Sequence, residues 1–433
     1  MRKITPGNIL HVTHPWGGGI STYLEDLNGL FGDSLNFFVL TCCDEKLILK
    51  NGKGHDETAL RYSLPKPVRI TDFFYAAYAD RLHMILKEFD INIVHVNSTV
   101  GHTFDIFNIP KLLGIPLIFT VHDFYYICPT FHMVDESGIY CKGCELDQER
   151  EGCLKNHPYI DHPNFDKEIL NRWRYEFLRV KPNIDLFIFP SFSARDIFSS
   201  FFEIKEDKCR VIYHGTYLDR RESPYRPKIR NTLRVGMLGS MLRHKGEPLI
   251  NVILKTIGDN NIQFYHFGDG NLRARNLINY GPYERSKILD TLREHEIDVM
   301  LLLSTWPETF SYTLSESIAA GIPPIVTNMG ALKERLDQQD IGWVVDYDNP
   351  ERICRLLRFL RKNKNAIAAR REWIKSASLK SMDEMKSDYL EVYASFLSRN
   401  GRLRRLWQKW KREALRLNRS PKPIKKKQKL RDK

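Results

Sequence analysis

WPETFSYTLSESIAAGIPPIV, residues 306–326, is preceded by the apolar run DVMLLLS (298–304) and leads into a second one at 324–327. Each run reads as a strand buried on both faces of a parallel sheet. Between them Glu308 precedes a Thr/Ser-rich turn that opens a helix, Glu316 follows eight residues later inside it, and Gly321-Ile322-Pro323 ends it. A strand-helix-strand unit of this kind brings a helix N-terminus to the carboxyl edge of the sheet. Its unpaired N–H groups and positive dipole end favour an anion there, a phosphate above all.

The same alternation extends outward in both directions. Upstream, NILHVT (8–13) reads as a strand, followed by His14-Pro15-Trp16-Gly17-Gly18-Gly19 and the amphipathic pattern ISTYLEDLNGLF. Strands are expected at 36–41, 91–97, 116–121, 185–190 and 209–215, with a polar loop after the first and helices near 71–89, 102–113 and 165–181. Ser191 and Ser193 open a further helix. Residues 217–231 carry Pro and charge without apolar periodicity and read as a linker. A second series follows, with strands at 233–239, 262–268 and 277–281 and a helix at 283–295. The expected fold class is α/β: two Rossmann-like doubly wound domains, 1–216 and 232–378, around an interdomain cleft, then a closing helix at 379–400 and a tail at 401–433.

Composition narrows the function classes. The chain has 433 residues, 42% of them apolar, and no uninterrupted apolar run long enough to span a bilayer. MRKITPGNILHV enters a strand without an apolar leader core, so a cytoplasmic protein without a signal peptide is expected. The net charge of +13 is carried by residues 401–433, where fifteen bases face two acids. A neutral body with a basic appendage argues against a nucleic-acid-binding surface. In LRRLWQKWKREALRL the residues Leu403, Leu406, Trp407, Trp410, Ala414 and Leu417 keep helical spacing, with Arg and Lys on the other face. That pattern suits a helix lying on an anionic membrane surface, and the alternatives are a solvated tail or a nucleic-acid contact.

Several residues are candidates for chemistry, each beside a plainer reading. Gly17, Gly18 and Gly19 allow close approach of backbone to phosphate or sugar, or form only a tight strand-to-helix turn. His122, at the end of the strand 116–121, faces a ligand or is a structural histidine. Ser240, Arg243 and Lys245 lie in the loop after 233–239, where the two cations would meet a diphosphate or simply form an exposed basic cluster. Cys128, Cys141, Cys144 and Cys153 fall within the polar insert 124–165 as C-x12-C-x2-C-x8-C. Structural zinc, free thiols and disulfides are the readings of that cluster; four thiolates would close the site, so zinc there would not be catalytic. Asp346-Tyr347-Asp348 matches a metal-binding D-x-D pattern, but Asp348-Asn349-Pro350 reads better as the cap of a helix at 350–362.

Taken together, the glycine loop, the Arg/Lys loop opening the second half and E-x7-E in PETFSYTLSESIAAGIP resemble glycosyltransferase family 4 of the GT-B fold, over roughly residues 7 to 400. The resemblance implies a retaining enzyme that transfers a sugar from a nucleotide diphosphate sugar without a catalytic metal. It implies Glu308 at the donor sugar, Glu316 at the ribose, backbone N–H groups of Phe310, Ser311 and Tyr312 at sugar or diphosphate, Lys245 at the leaving group, His122 at the donor sugar and Gly17 to Gly19 in the first loop. One departure is Ser240, where the family usually carries Arg, with Arg243 as the expected substitute. The expected acceptor is a glycolipid or polysaccharide intermediate, including those of lipopolysaccharide assembly, at the cytoplasmic membrane face. Tyr280 and Tyr283 are expected to approach the nucleotide base. A non-catalytic nucleotide-sugar-binding or scaffold subunit and a sugar-nucleotide epimerase are the competing readings.

Overall fold

The computed structural model describes residues 7–397 apart from 32–33, 53–58, 136–137, 145–153, 155–159, 161–164 and 219–229. Within these residues β1 (Gly7–Val12), β2 (Leu35–Cys43), β3 (Lys46–Asn51), β4 (Leu60–Ser63), β5 (Ile93–Val96), β6 (Leu117–Thr120), β7 (Leu186–Phe189) and β8 (Cys209–Val211) form one sheet. Its order is β4-β3-β2-β1-β5-β6-β7-β8. A second sheet contains β9 (Leu233–Leu238), β10 (Ile262–Phe267), β11 (Leu277–Gly281), β12 (Val299–Leu302), β13 (Pro324–Thr327) and β14 (Trp343–Val345), in the order β11-β10-β9-β12-β13-β14. Every residue of β5, β6, β7, β12 and β13 is buried, as expected of strands covered by helices on both faces.

Three differences from the sequence reading matter. The polar loop expected after β2 is instead the antiparallel pair β3 and β4, added to the sheet edge; Leu47 and Leu49 point inward while their neighbours are exposed or half-buried. The strand expected at 209–215 ends at Val211, so His214 leaves the sheet and enters the space between the halves. The helix expected at 283–295 begins only at Ile288, after a short 3-10 turn, which frees Tyr283 and Arg285 for the cleft.

The helix Met382–Leu397 follows the second sheet in sequence but packs on the first. Met385, Tyr389, Val392, Tyr393 and Leu397 share one core with Ile9, Tyr23, Leu27 and Phe31. Two buried polar contacts fix its register: Tyr23 Oη and Tyr389 Oη lie 2.6 Å apart, and Tyr393 Oη lies 2.9 Å from His95 Nδ1. Most of the expected linker 217–231, residues 398–400 of the closing segment and the tail 401–433 lie outside the described residues. No helix among the described residues is long and apolar enough to cross a membrane.

Candidate active site

Segments that leave the carboxyl ends of strands in both sheets converge on one cleft of about 580 Å³. From the first half come Gly17 to Gly19, His122 and His214; from the second come Ser240, Lys245, Tyr283, Arg285 and the run from Trp306 to Glu316 except Pro307, Leu314 and Ser315. This is where an open parallel sheet places ligands, because each strand end hands over to a loop and a helix N-terminus. Thr309 Oγ1 donates to the His122 carbonyl at 2.7 Å and ties the two walls together at the base of the cleft.

Glu308 is buried, and its Oε1 accepts from Lys245 Nζ at 2.9 Å and from the Ser304 hydroxyl. Burial pushes its pKa up, but the Lys245 ammonium, the Ser304 hydrogen bond and nearby His244 outweigh it, so the carboxyl sits below its usual value and is charged at neutral pH. Two glycines hold this pair in place. A Cβ at Gly246 (φ 87°) would meet the Leu303 carbonyl at 2.0 Å, and one at Gly330 (φ 53°) would meet the Glu308 carbonyl at 2.6 Å. Only glycine fits either close approach.

Glu316 lies inside the helix Tyr312–Ala320 and accepts from Tyr283 Oη at 2.8 Å. Burial raises its pKa to about 7, against the opposing pull of the Tyr283 hydrogen bond and the Arg285 charge. The two carboxyls of E-x7-E therefore occupy different environments, one held charged by a cation and one titrating near neutral pH. Arg285 also reaches across the cleft to Asp26, 3.0 Å away on the helix Gly19–Phe31, and its guanidinium lies 4.9 Å over the Tyr312 ring.

The loop that opens the Tyr312–Ala320 helix is under strain. Ser311 is its N-cap at φ 82°, a conformation costing a non-glycine residue about 1–3 kcal/mol, and its Oγ accepts from Leu314 N at 3.4 Å. Arg335 over-determines the turn: its guanidinium donates to the Ser311 carbonyl (2.9 Å), the Phe310 carbonyl (3.4 Å) and Ser315 Oγ (2.9 Å), and lies 4.6 Å from the Phe310 ring centroid. With those carbonyls engaged behind the turn, the first-turn N–H groups of Tyr312 and Thr313 are left for whatever occupies the cleft.

His122 packs edge-on against Tyr23, and its Nε2 lies 3.4 Å from Asn97 Oδ1. Burial, with His14 and His11 nearby, brings its pKa down to about 3, so it acts as a neutral ring. His214 is 5% exposed and neither ring nitrogen has a protein partner; it is wedged between Tyr23, Phe310 and Tyr312. Trp306 Nε1 and Tyr312 Oη are buried without partners as well. All three side chains line the cleft, with these polar atoms shielded from it.

Other expected placements differ. Arg243 does not line the cleft: it turns toward the insert, where its Cγ would lie 3.2 Å from a Cβ built on Gly138. The cations that line the cleft beside Ser240 are Lys245 and Arg285. Tyr280 stacks on Phe267 at 4.9 Å outside the cleft, and Tyr283 is held by Glu316. Asn349, beside Pro350, caps the helix Pro350–Lys362 by accepting from Arg352 N at 3.0 Å, and Asp346 of the D-x-D stretch pairs with Arg352 at 2.9 Å. Cys128 and Cys141 are buried and Cys144 half-buried in one loop, whereas Cys153 lies outside the described residues. Among the described residues no group of three or more His, Cys, Asp or Glu side chains is placed to hold a metal. Sequence reasoning missed Arg285, Arg335, His214 and Asp26, none of which stands in a spaced motif. Trp306 stood within the opening stretch without a role.

Residues 17–220 match the family model for Glycosyltransferase Family 4, and residues 270–380 match that for Glycosyl transferases group 1. The chain is similar to the O-antigen biosynthesis glycosyltransferase WclY of Escherichia coli, 26% identical over 173 residues that cover 36% of this chain and 47% of that protein. It is also similar to the putative colanic acid biosynthesis glycosyl transferase WcaC of Escherichia coli K12, 22% identical over 238 residues, 52% of this chain and 55% of that protein. The chain spans about half the length of these curated relatives. Among solved structures, Anabaena Alr3699/HepE in complex with UDP and glucose superposes with a TM-score of 0.61 at 14% identity, over 89% of this chain and 99% of that one.

Proposed function

Since the chain belongs to the GT-B glycosyltransferases of the family-4 type, we propose that it is a retaining glycosyltransferase acting on a nucleotide diphosphate sugar. The observation that carries this reading is the Lys245–Glu308 pair beside the Tyr312–Ala320 helix N-terminus, in a cleft walled by both halves. A diphosphate would draw the Lys245 ammonium and the free first-turn N–H groups, while Glu308 stays charged beside the sugar as positive character grows at the anomeric carbon. Glu316 and Tyr283 would take the ribose, and His122 a hydroxyl of the donor sugar. With Ser240 in the loop, the negative charge of the leaving group falls to Lys245, the helix terminus and Arg285.

The acceptor in this reading is a glycolipid or polysaccharide intermediate of O-antigen, colanic acid or related cell-surface assembly, supported by the stated roles of WclY and WcaC. The amphipathic basic pattern of 401–433 supports attachment to the cytoplasmic membrane face. Loss of liposome flotation on deleting those residues is the expected result, and retained flotation would remove that part. A structural zinc rests on the C-x12-C-x2-C-x8-C spacing of Cys128, Cys141, Cys144 and Cys153 alone, since the described residues bring no three such ligands together, and metal analysis of the purified protein decides it.

Incubation of the purified protein with GDP-, UDP- and dTDP-sugars tests the main reading. Nucleotide release from one class is expected. Tight binding of a donor without release in the presence of membrane-lipid or polysaccharide acceptors would favour a binding subunit, and conversion of the donor sugar to an isomer would favour an epimerase.

A further inference from the structure

Beyond the donor-binding groups, the cleft has an aromatic mouth that the donor chemistry leaves unused. Trp16 is 41% exposed and stacks on His14 at 5.0 Å with 29° between the rings. Phe131 meets Trp16 edge-on at 6.1 Å. His132, next in the insert, lies parallel to His244 of the second half at 3.7 Å and edge-on to Trp306 at 4.5 Å. The insert thus crosses from β6 to the second half and closes one side of the mouth, with Gly138 packed beside Arg243 and Pro248.

Polar groups converge on the same place. Asp123 lines the cleft and accepts from Tyr125 N through Oδ1 at 2.9 Å, and burial raises its pKa to about 6. Trp16 N donates to His14 Nδ1 at 3.2 Å, so the neutral His14 ring carries its proton on Nε2 as a donor. Trp306 is 6% exposed and lines the same cleft. Flat aromatic faces with an acceptor and a donor at their edges match a pyranose ring, which presents a C–H face for stacking and a rim of hydroxyls. A lipid chain would offer no donor to the second Asp123 oxygen and no acceptor to the His14 N–H, a cost that a hydroxyl-bearing ring avoids. A second phosphate would face Asp123.

We propose that Trp16, His14, Phe131, His132, Asp123 and Trp306 form an acceptor subsite that takes the face of a pyranose ring, so that the acceptor's reactive end is a sugar. This rests on the transferase reading above and assigns to the insert the part of the cleft that selects the acceptor.

Saturation-transfer NMR on the full chain, without any nucleotide sugar, tests it. The probes are octyl β-D-glucopyranoside, octyl β-D-galactopyranoside and octyl 2-acetamido-2-deoxy-β-D-glucopyranoside, with hexaethylene glycol monooctyl ether as the sugar-free control. Ring protons of at least one glycoside are expected to receive saturation from the wild-type protein. That signal should fall by about fivefold to tenfold in Trp16→Ala and largely persist in Trp16→Phe. Saturation confined to the octyl protons, ring signals with none of the three glycosides, or ring signals undiminished in a folded Trp16→Ala would each overturn the proposal. Donor release is measured separately, so the subsite can fail while the transferase reading stands, and the reverse.

Discussion

Glu308→Gln is expected to lower nucleotide release from the preferred donor by on the order of 10²–10³-fold while donor binding persists. The side chain keeps its volume, and the Ser304 hydroxyl still has an oxygen to donate to. What disappears is the negative charge that Lys245 and Ser304 hold in place against the cost of burial. In a transfer that builds positive charge at the anomeric carbon, that charge acts mainly in the transition state, so the loss should appear in kcat. Stability should change little, because the Lys245 side chain is 35% exposed and its ammonium can return to water. Single-turnover release and calorimetric donor binding separate the two effects. A variant that keeps turnover within about tenfold of the wild type would remove Glu308 from the chemistry.

Arg335→Met should damage the site from behind. Arg335 does not line the cleft itself, yet it donates to the carbonyls of Phe310 and Ser311 in the strained turn. Methionine fills much of the same space and leaves both buried carbonyls without that partner, at about 1–3 kcal/mol each. For a chain built from domains of this size the melting temperature should fall by roughly 5–15 °C. Ser311 is then free to relax from φ 82°, turning the first-turn N–H groups away from the cleft. Donor KM should therefore rise as well. Thermal melting together with donor titration checks both, and an unchanged donor KM in a folded variant would show that Arg335 only fills space.

The strand and helix order was legible because buried parallel strands are short apolar runs and the helices between them are amphipathic. The run 298–304, the Glu308 to Glu316 spacing and the stop at Gly321-Ile322-Pro323 all appear as expected elements. Composition hid β3 and β4, since an edge pair with one covered face carries only a few apolar residues, Leu47 and Leu49 among them. Side-chain direction was beyond reach. Arg243 and Arg285 are both bases in loops after strands, and only the late start of the helix at Ile288 puts the second into the cleft. Its partner Asp26 is 259 residues away. Likewise, Arg335 and the Phe310 carbonyl it holds are 25 residues apart, with a full strand between them.

The return of the helix Met382–Leu397 to the first sheet also governs how the protein can be made. A ribosome delivers the chain from the amino end, so Ile9, Tyr23 and Phe31 emerge long before Tyr389 and Tyr393, the residues that complete their core. The first half must wait, with one apolar face uncovered, until nearly the whole described chain has been synthesised. Premature termination anywhere in the second half would release a nascent product with that face open, a substrate for chaperones and proteases.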